Sequence, residues 1–152
     1  VHAAIRAHNG IVDKYEGDAV MAHFNSPLLE EPQHALQAVR AAWAVKQAVE
    51  MYHERVPPES RLQLGIGINT GEVVAGNIGA EDHMEYTLIG DAVNLAKRLQ
   101  ENAKPGQILL GQNTYQLVKD YVLVNALEPI RVKGRAAAEQ VYELMGLLPD
   151  RK

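Results

Sequence analysis

From Ala35 to Tyr52 apolar residues recur at steps of three and four, with Arg40, Lys46, Gln47 and Glu50 largely off the stripe. That spacing predicts a long amphipathic helix. Glu30-Glu31-Pro32 provides its start, with acids in the first turn and proline near the first helical position, and Val56-Pro57-Pro58 provides its end. Before it, His2 to His8 reads as the end of a helix stopped at Asn9-Gly10. The period then changes. Ile11 to Tyr15 and Ala19 to Phe24 read as strands joined by a tight turn at Glu16-Gly17, the second broken by Ser26-Pro27. Leu62 to Asn69 and Glu72 to Ile78 form a second expected strand pair around Thr70-Gly71. Tyr86 to Ile89 is a β-type run that turns at Gly90 into a helix reaching Asn102, and Lys104-Pro105-Gly106 stops it. A short strand at Gln107 to Leu110 and a short helix at Gly111 to Val118 follow, then strands near Tyr121 to Pro129 and Gln140 to Met145. Hairpins stand beside βα units, which predicts an α+β sandwich of one domain without repeats or linkers.

Bulk properties narrow the functional classes. The chain has 152 residues, 15 Lys plus Arg against 19 Asp plus Glu, and no cysteine. A domain this long buries roughly 70% of the surface of its unfolded chain. The net charge of −4 argues against a nucleic-acid or anionic-membrane binder, whose footprint is basic. No apolar segment approaches the roughly 20 residues that cross a bilayer, so no membrane contact is expected from this segment. The absence of cysteine excludes disulfides and thiolate metal sites and fits a reducing, cytoplasmic setting. No pair of histidines frames an acid at the spacing of a zinc hydrolase, and no serine or threonine sits in a nucleophile elbow. Because the chain opens on Val1 in what reads as mid-domain helix, a fragment or a processed start is expected.

Four segments can carry chemistry. Lys14 and Asp18 flank the first hairpin turn, and Asp18 precedes the apolar run Ala19-Val20-Met21-Ala22. A carboxylate so placed suits Mg²⁺, which is held by one or two acids plus phosphate oxygens and water. Taken alone, the segment reads as a turn aspartate beside a solvated lysine. On the helix after Gly90, Asp91, Asn94, Arg98 and Glu101 share one face, while Ala92, Leu95, Ala96, Leu99 and Ala103 share the other. Asn94 is a poor helix former in a helix interior, and Arg98 one turn on offers a planar fork for phosphate. The plain alternative is an amphipathic helix with a wet face. Asp91 would repel an anion at the helix start, so a capping role is expected for it. Lys133 lies in the basic run Ile130 to Arg135, which suits a polyphosphate or simply a solvated loop. Gly65-Ile66-Gly67-Ile68-Asn69 presents a glycine side to which another backbone or a ligand can come close.

Taken together, and in this order, the segments Lys14-x-x-Gly17-Asp18, Gly65-Ile66-Gly67-Ile68-Asn69-Thr70-Gly71-Glu72, Thr87-x-x-Gly90-Asp91-Ala92-Val93-Asn94-x-Ala96-x-Arg98 and Val132-Lys133-Gly134 resemble the catalytic domain of class III nucleotidyl cyclases. The likeness covers Ile11 to Leu144. It implies a ferredoxin-like α+β fold, a head-to-tail homodimer with active sites at the interface, and conversion of ATP or GTP to a 3′,5′-cyclic nucleotide and pyrophosphate. By matching position, Asp18 resembles the second of two metal-binding aspartates, Lys14 and Thr87 the residues that read the purine, Asn94 the asparagine that holds the ribose, Arg98 the arginine that stabilises phosphate charge, and Lys133 a triphosphate-binding lysine. Arg135, two residues on, competes with Lys133 for that last role. Threonine at position 87 resembles the class IIIb subgroup, which implies adenine as base and a bicarbonate effector. Guanine would ask for an acid where Lys14 stands, since its facing edge presents donors.

The resemblance implies two Mg²⁺ or Mn²⁺ ions per site, yet only one of the two expected aspartates is matched. The first metal-binding strand and the helix after it are expected before Val1, so the chain as given is expected to be nearly inactive within an active parent that can be membrane-anchored. The contrasting expectations are a non-catalytic nucleotide-binding or regulatory module of the same fold, and a guanylyl cyclase.

Overall fold

The computed structural model describes residues 1–25, 30–78, 85–132 and 137–149, with the backbone alone at residues 75, 77, 78 and 85–87. A short helix, α1 (His2–Ala7), leads into the antiparallel hairpin of β1 (Gly10–Glu16) and β2 (Ala19–Phe24). Gly17 and Asp18 make the turn, with Gly17 at φ 59°, a conformation that glycine adopts without strain. The turn thus falls one residue later than Glu16-Gly17, because Glu16 still pairs with Ala19. Ser26-Pro27, the expected break, lies outside the described residues.

The long helix α2 spans His34–His53. Its start is not at Glu30 as the acidic run suggests. Glu31 folds back as a bracket ahead of the helix: the Gln33 N–H donates to Oε1 at 2.9 Å and Asn9 Nδ2 to Oε2 at 2.8 Å, while the Glu31 N–H donates to Asn25 Oδ1 at 3.0 Å. These donors, the Gln33 amide first, hold the Glu31 carboxyl below the usual carboxylate range. Asn9, on the carboxyl, and Asn25, on the Glu31 N–H, both adopt positive φ.

Four strands form the main sheet in the order β3 (Ile66–Ile68), β6 (Ile108–Gly111), β8 (Glu139–Leu147) and β7 (Val122–Ile130). β3 runs parallel to β6, and the β6–β8 and β8–β7 pairs are antiparallel. β6 is buried at every position because helices cover both faces. Ile108 and Leu110 join Leu36, Val39 and Ala42 of α2, Val118 of α4 (Gln112–Val118) and Leu144 in one core. Leu109, pointing the other way along the pleat, packs with Leu95 and Leu99 of α3 (Asp91–Asn102) and Val141. The two-sided core is why β6 reads as a continuous apolar run rather than an alternating one.

The second expected hairpin does not form. Strand β3 covers only Ile66–Ile68, and β4 (Val74–Ile78) pairs not with it but antiparallel with β5 (Glu85–Ile89) in a separate ribbon. The glycines explain the divergence. A Cβ on Gly67 would stand 2.5 Å from Ala96 O and Gln100 N of α3, so the bare side of β3 exists to let that helix approach. Asn69 then donates from Nδ2 to Ala92 O at 3.0 Å, carrying the chain across the start of α3 instead of back along β3. Among the described residues, no helix is long and apolar enough to cross a membrane.

Candidate active site

The β1–β2 hairpin carries the first pair of expected site residues. Its register skips between Val12 and Lys14, so Val12 faces Ala22, Lys14 faces Met21 and Asp13 is the extra residue of a β-bulge. Lys14 is partly exposed, and its Nζ lies 3.8 Å from Oδ2 of Asp13, whose side chain is only 3% exposed. Asp18 stands exposed in the turn. Among the described residues, the buried atoms Asp13 Oδ2 and His23 Nδ1, both on this hairpin, have no hydrogen-bond partner. Burial pushes the His23 pKa down, and the nearby Asp13 carboxylate offsets part of that.

The second pair sits on α3. β5 enters the helix through Gly90, which takes the N-cap position at φ 153° without a side-chain cap. Asp91, expected to cap, is instead the first helical residue. The 3.6-residue period sorts this helix cleanly: Leu95 and Leu99 are buried, while Asn94 and Arg98 are exposed on the opposite face. An ion pair joins the two walls, with Lys97 Nζ 3.8 Å from Glu16 Oε2. It ties the end of β1 to the helix turn between Asn94 and Arg98. Both partners are more than half exposed, so the pair orients more than it stabilises.

Thr87 lies in β5, where its backbone pairs with Gly76 of β4; its side chain is outside the described residues. Lys133 is outside them altogether. A polar cavity of about 360 Å³ opens beside the start of α3, lined among others by Asn69, Thr70, Glu72, Asp91, Asn113 and Glu139. Neither Lys14, Asp18, Asn94 nor Arg98 contributes to its lining. Among the described residues, Lys14 and Asp18 on the hairpin and Asn94 and Arg98 on α3 therefore do not share an enclosed pocket within one chain. Asp13 and His23 were not legible as site neighbours from sequence. The available signals were faint: an acid beside Lys14, and an imidazole inside the otherwise apolar run Val20 to Phe24.

An exposed amide and guanidinium one turn apart, facing outward beside a lysine-bearing hairpin, match the segments that suggested a nucleotidyl cyclase. The adenylate and guanylate cyclase catalytic domain family matches residues 5–146. The chain belongs to that family. Among solved structures, this cyclase domain is similar to the adenylyl cyclase CyaB from P. aeruginosa, at 31% identity with a TM-score of 0.85, covering 99% of this chain and 77% of that one. It is also similar to the guanylyl cyclase Cya2, at 32% identity with a TM-score of 0.87, covering 95% and 74%. Adenylate cyclase 1 of Rhizobium meliloti is 32% identical over 148 residues, which are 95% of this chain and 22% of that protein. The chain thus spans about a fifth of that relative's length. The expected α+β cyclase fold stands, and adenylyl and guanylyl cyclases both appear among the likenesses.

Proposed function

We propose that this cyclase domain converts ATP to 3′,5′-cyclic AMP and pyrophosphate at the interface of a head-to-tail homodimer. The observation that carries this reading is the division of α3, whose buried Leu95 and Leu99 hold Asn94 and Arg98 outward on a rigid helix. Such a face is open to a partner subunit. A facing subunit would bring its own hairpin, with Lys14 and Asp18, against it.

In this arrangement the ribose 3′-hydroxyl gives its proton to solvent and its oxygen attacks the α-phosphorus in line, while the bond from that phosphorus to the α,β-bridging oxygen breaks and pyrophosphate leaves with that oxygen. Asn94 holds the ribose so that the attacking oxygen is aligned. Arg98 binds the phosphates and stabilises charge as it builds on them. Lys14 donates to the adenine edge, Thr87 pairs with the same edge, and Lys133 contacts the triphosphate. Asp18 is a hard oxygen donor, exposed and at a rigid turn, and fits Mg²⁺ or Mn²⁺ as one carboxylate of a set completed by phosphate oxygens. Such ions, when bound, neutralise phosphate charge and activate the entering and leaving oxygens.

The test is Arg98→Ala in the native protein. Turnover should fall by ~10²–10³, in line with the loss of one preorganised donor. Thermal stability should hold, since Arg98 is exposed. Undiminished cyclic AMP formation would remove Arg98 from the site. A guanylyl cyclase is the second reading, favoured by the likeness to Cya2. Cyclic GMP as the main product would establish it in place of the first.

A further inference from the structure

We infer that Asp13 is a positioning residue: it fixes the Lys14 ammonium through the β1 bulge and thereby sets which purine the site accepts. The inference rests on the proposed role of Lys14 as a base-reading residue and adds a second residue to it. Neighbours on a regular strand point to opposite faces, so adjacent carboxylate and ammonium groups do not normally meet. Here they do, at 3.8 Å, because the register skip at Asp13 breaks the alternation. Bulges re-aim side chains in this way, and they cluster beside active sites.

The energetics point in the same direction. The Asp13 side chain is 97% buried and its Oδ2 accepts no hydrogen bond from the described residues. A buried carboxylate oxygen without a donor is costly unless a cation stands beside it. The imidazole of His23 is also within its field, but burial favours the neutral form of that ring. Lys14 is then the cation that answers Asp13. At 3.8 Å the contact exceeds hydrogen-bond length, so Asp13 steers the ammonium electrostatically without consuming one of its N–H donors. An aspartate that served structure alone would be expected to take donors from the backbone or a side chain at its buried oxygen.

The experiment is kcat/KM for ATP and for GTP in the native protein, for wild type, Asp13→Asn, Asp13→Glu, Lys14→Ala and the double variant Asp13→Asn/Lys14→Ala. Asp13→Asn should lower the ATP-to-GTP ratio by about tenfold, mostly through KM for ATP, the size expected when a charge-assisted hydrogen bond is misplaced. Asp13→Glu keeps the charge and should recover part of the ratio. The double variant should fall no lower than Lys14→Ala alone, since the two residues act through one contact. A ratio that drops in Lys14→Ala but is unmoved in both Asp13 variants overturns the inference and leaves the role of Lys14 standing. An unmoved ratio in Lys14→Ala overturns that role, and the inference with it. Should Asp13→Asn fail to fold, Asp13→Glu alone decides: a charge shifted by one methylene must alter the ratio, and an unaltered ratio refutes the claim.

Discussion

In the four-stranded sheet every residue of β6 is buried, and Ile108, Leu110 and Leu144 are almost wholly shielded by apolar neighbours from α2 and α4. In the β1–β2 hairpin a buried carboxylate and a half-buried imidazole each carry a buried atom with no hydrogen-bond partner among the described residues, and exposed Asp18 occupies the turn. The interior of the sheet is a closed apolar core. The hairpin keeps polar groups that apolar residues of equal size would replace without loss of stability, and such departures from optimal packing collect at functional sites. The division should be visible by mutation. Leu144→Ala should cost about 2–5 kcal/mol, since Leu144 is fully buried and its truncation leaves a cavity in the core. Urea unfolding measures that cost, and the ATP-to-GTP preference should not change with it. A cost under about 1 kcal/mol would mean that the sheet is not the stabilising region.

One contact breaks the separation between the regions. Strand β3 lies against α3 so closely that a Cβ on Gly67 would meet the backbone at Ala96 and Gln100, at 2.5 Å from each. Backbone cannot yield as a flexible side chain does, so Gly67→Ala must shift α3 as a body. Overpacking of this kind costs about 1–3 kcal/mol. Asn94 and Arg98 ride on the same helix, and turnover should fall along with stability. Gly146→Ala is the control, because the nearest atom to its added Cβ would be Leu123 Cδ1 at an ordinary 3.7 Å. Gly67→Ala with full turnover would show that the outward face of α3 is not tied to the core through β3.

What could be read from the sequence follows the range of the interactions involved. The two faces of α3 were legible because helical periodicity is local: Leu95 and Leu99 announce a buried stripe, and Asn94 and Arg98 fall opposite. The β1–β2 hairpin was legible for the same reason, to within one residue at its turn. Strand β3 was not. Its partner, β6, lies some forty residues on in sequence, and nothing within Gly65 to Asn69 states that the glycines serve a helix and not a returning strand. The start of α2 was misplaced because Glu31 looks like a first-turn acid, whereas its carboxylate gathers Asn9 and the Gln33 amide ahead of the helix. Asp13 escaped notice because a bulge is a property of the register between two strands and not of either one. The joint order of the motifs was legible as the family likeness, whereas the proposed meeting of Lys14 and Asp18 with Asn94 and Arg98 calls on a second subunit, which no single-chain pattern describes.

The smallest effect expected lies inside the hairpin itself. His23 has its pKa held below the ordinary value of about 6.5 by burial, with the Asp13 carboxylate raising it in part. A depressed folded-state pKa means that protonation favours the unfolded chain. The contribution of His23 to stability is therefore complete above the unfolded value and is lost as pH falls through about 6.5 towards the lower folded value. His23→Gln removes this titration, so the gap between wild-type and variant melting temperatures should stay constant above pH 7 and narrow or reverse by pH 5. The change should be at most about 4 °C, because the ring is only half-buried. Asp13→Asn removes the charge that raises the His23 pKa and should make the loss at low pH steeper than in wild type. A wild-type curve parallel to that of His23→Gln from pH 8 to 5 would show that the imidazole is solvated in the folded protein. The hairpin would then be a relaxed surface ribbon, and its contrast with the sheet would shrink to a difference in exposure.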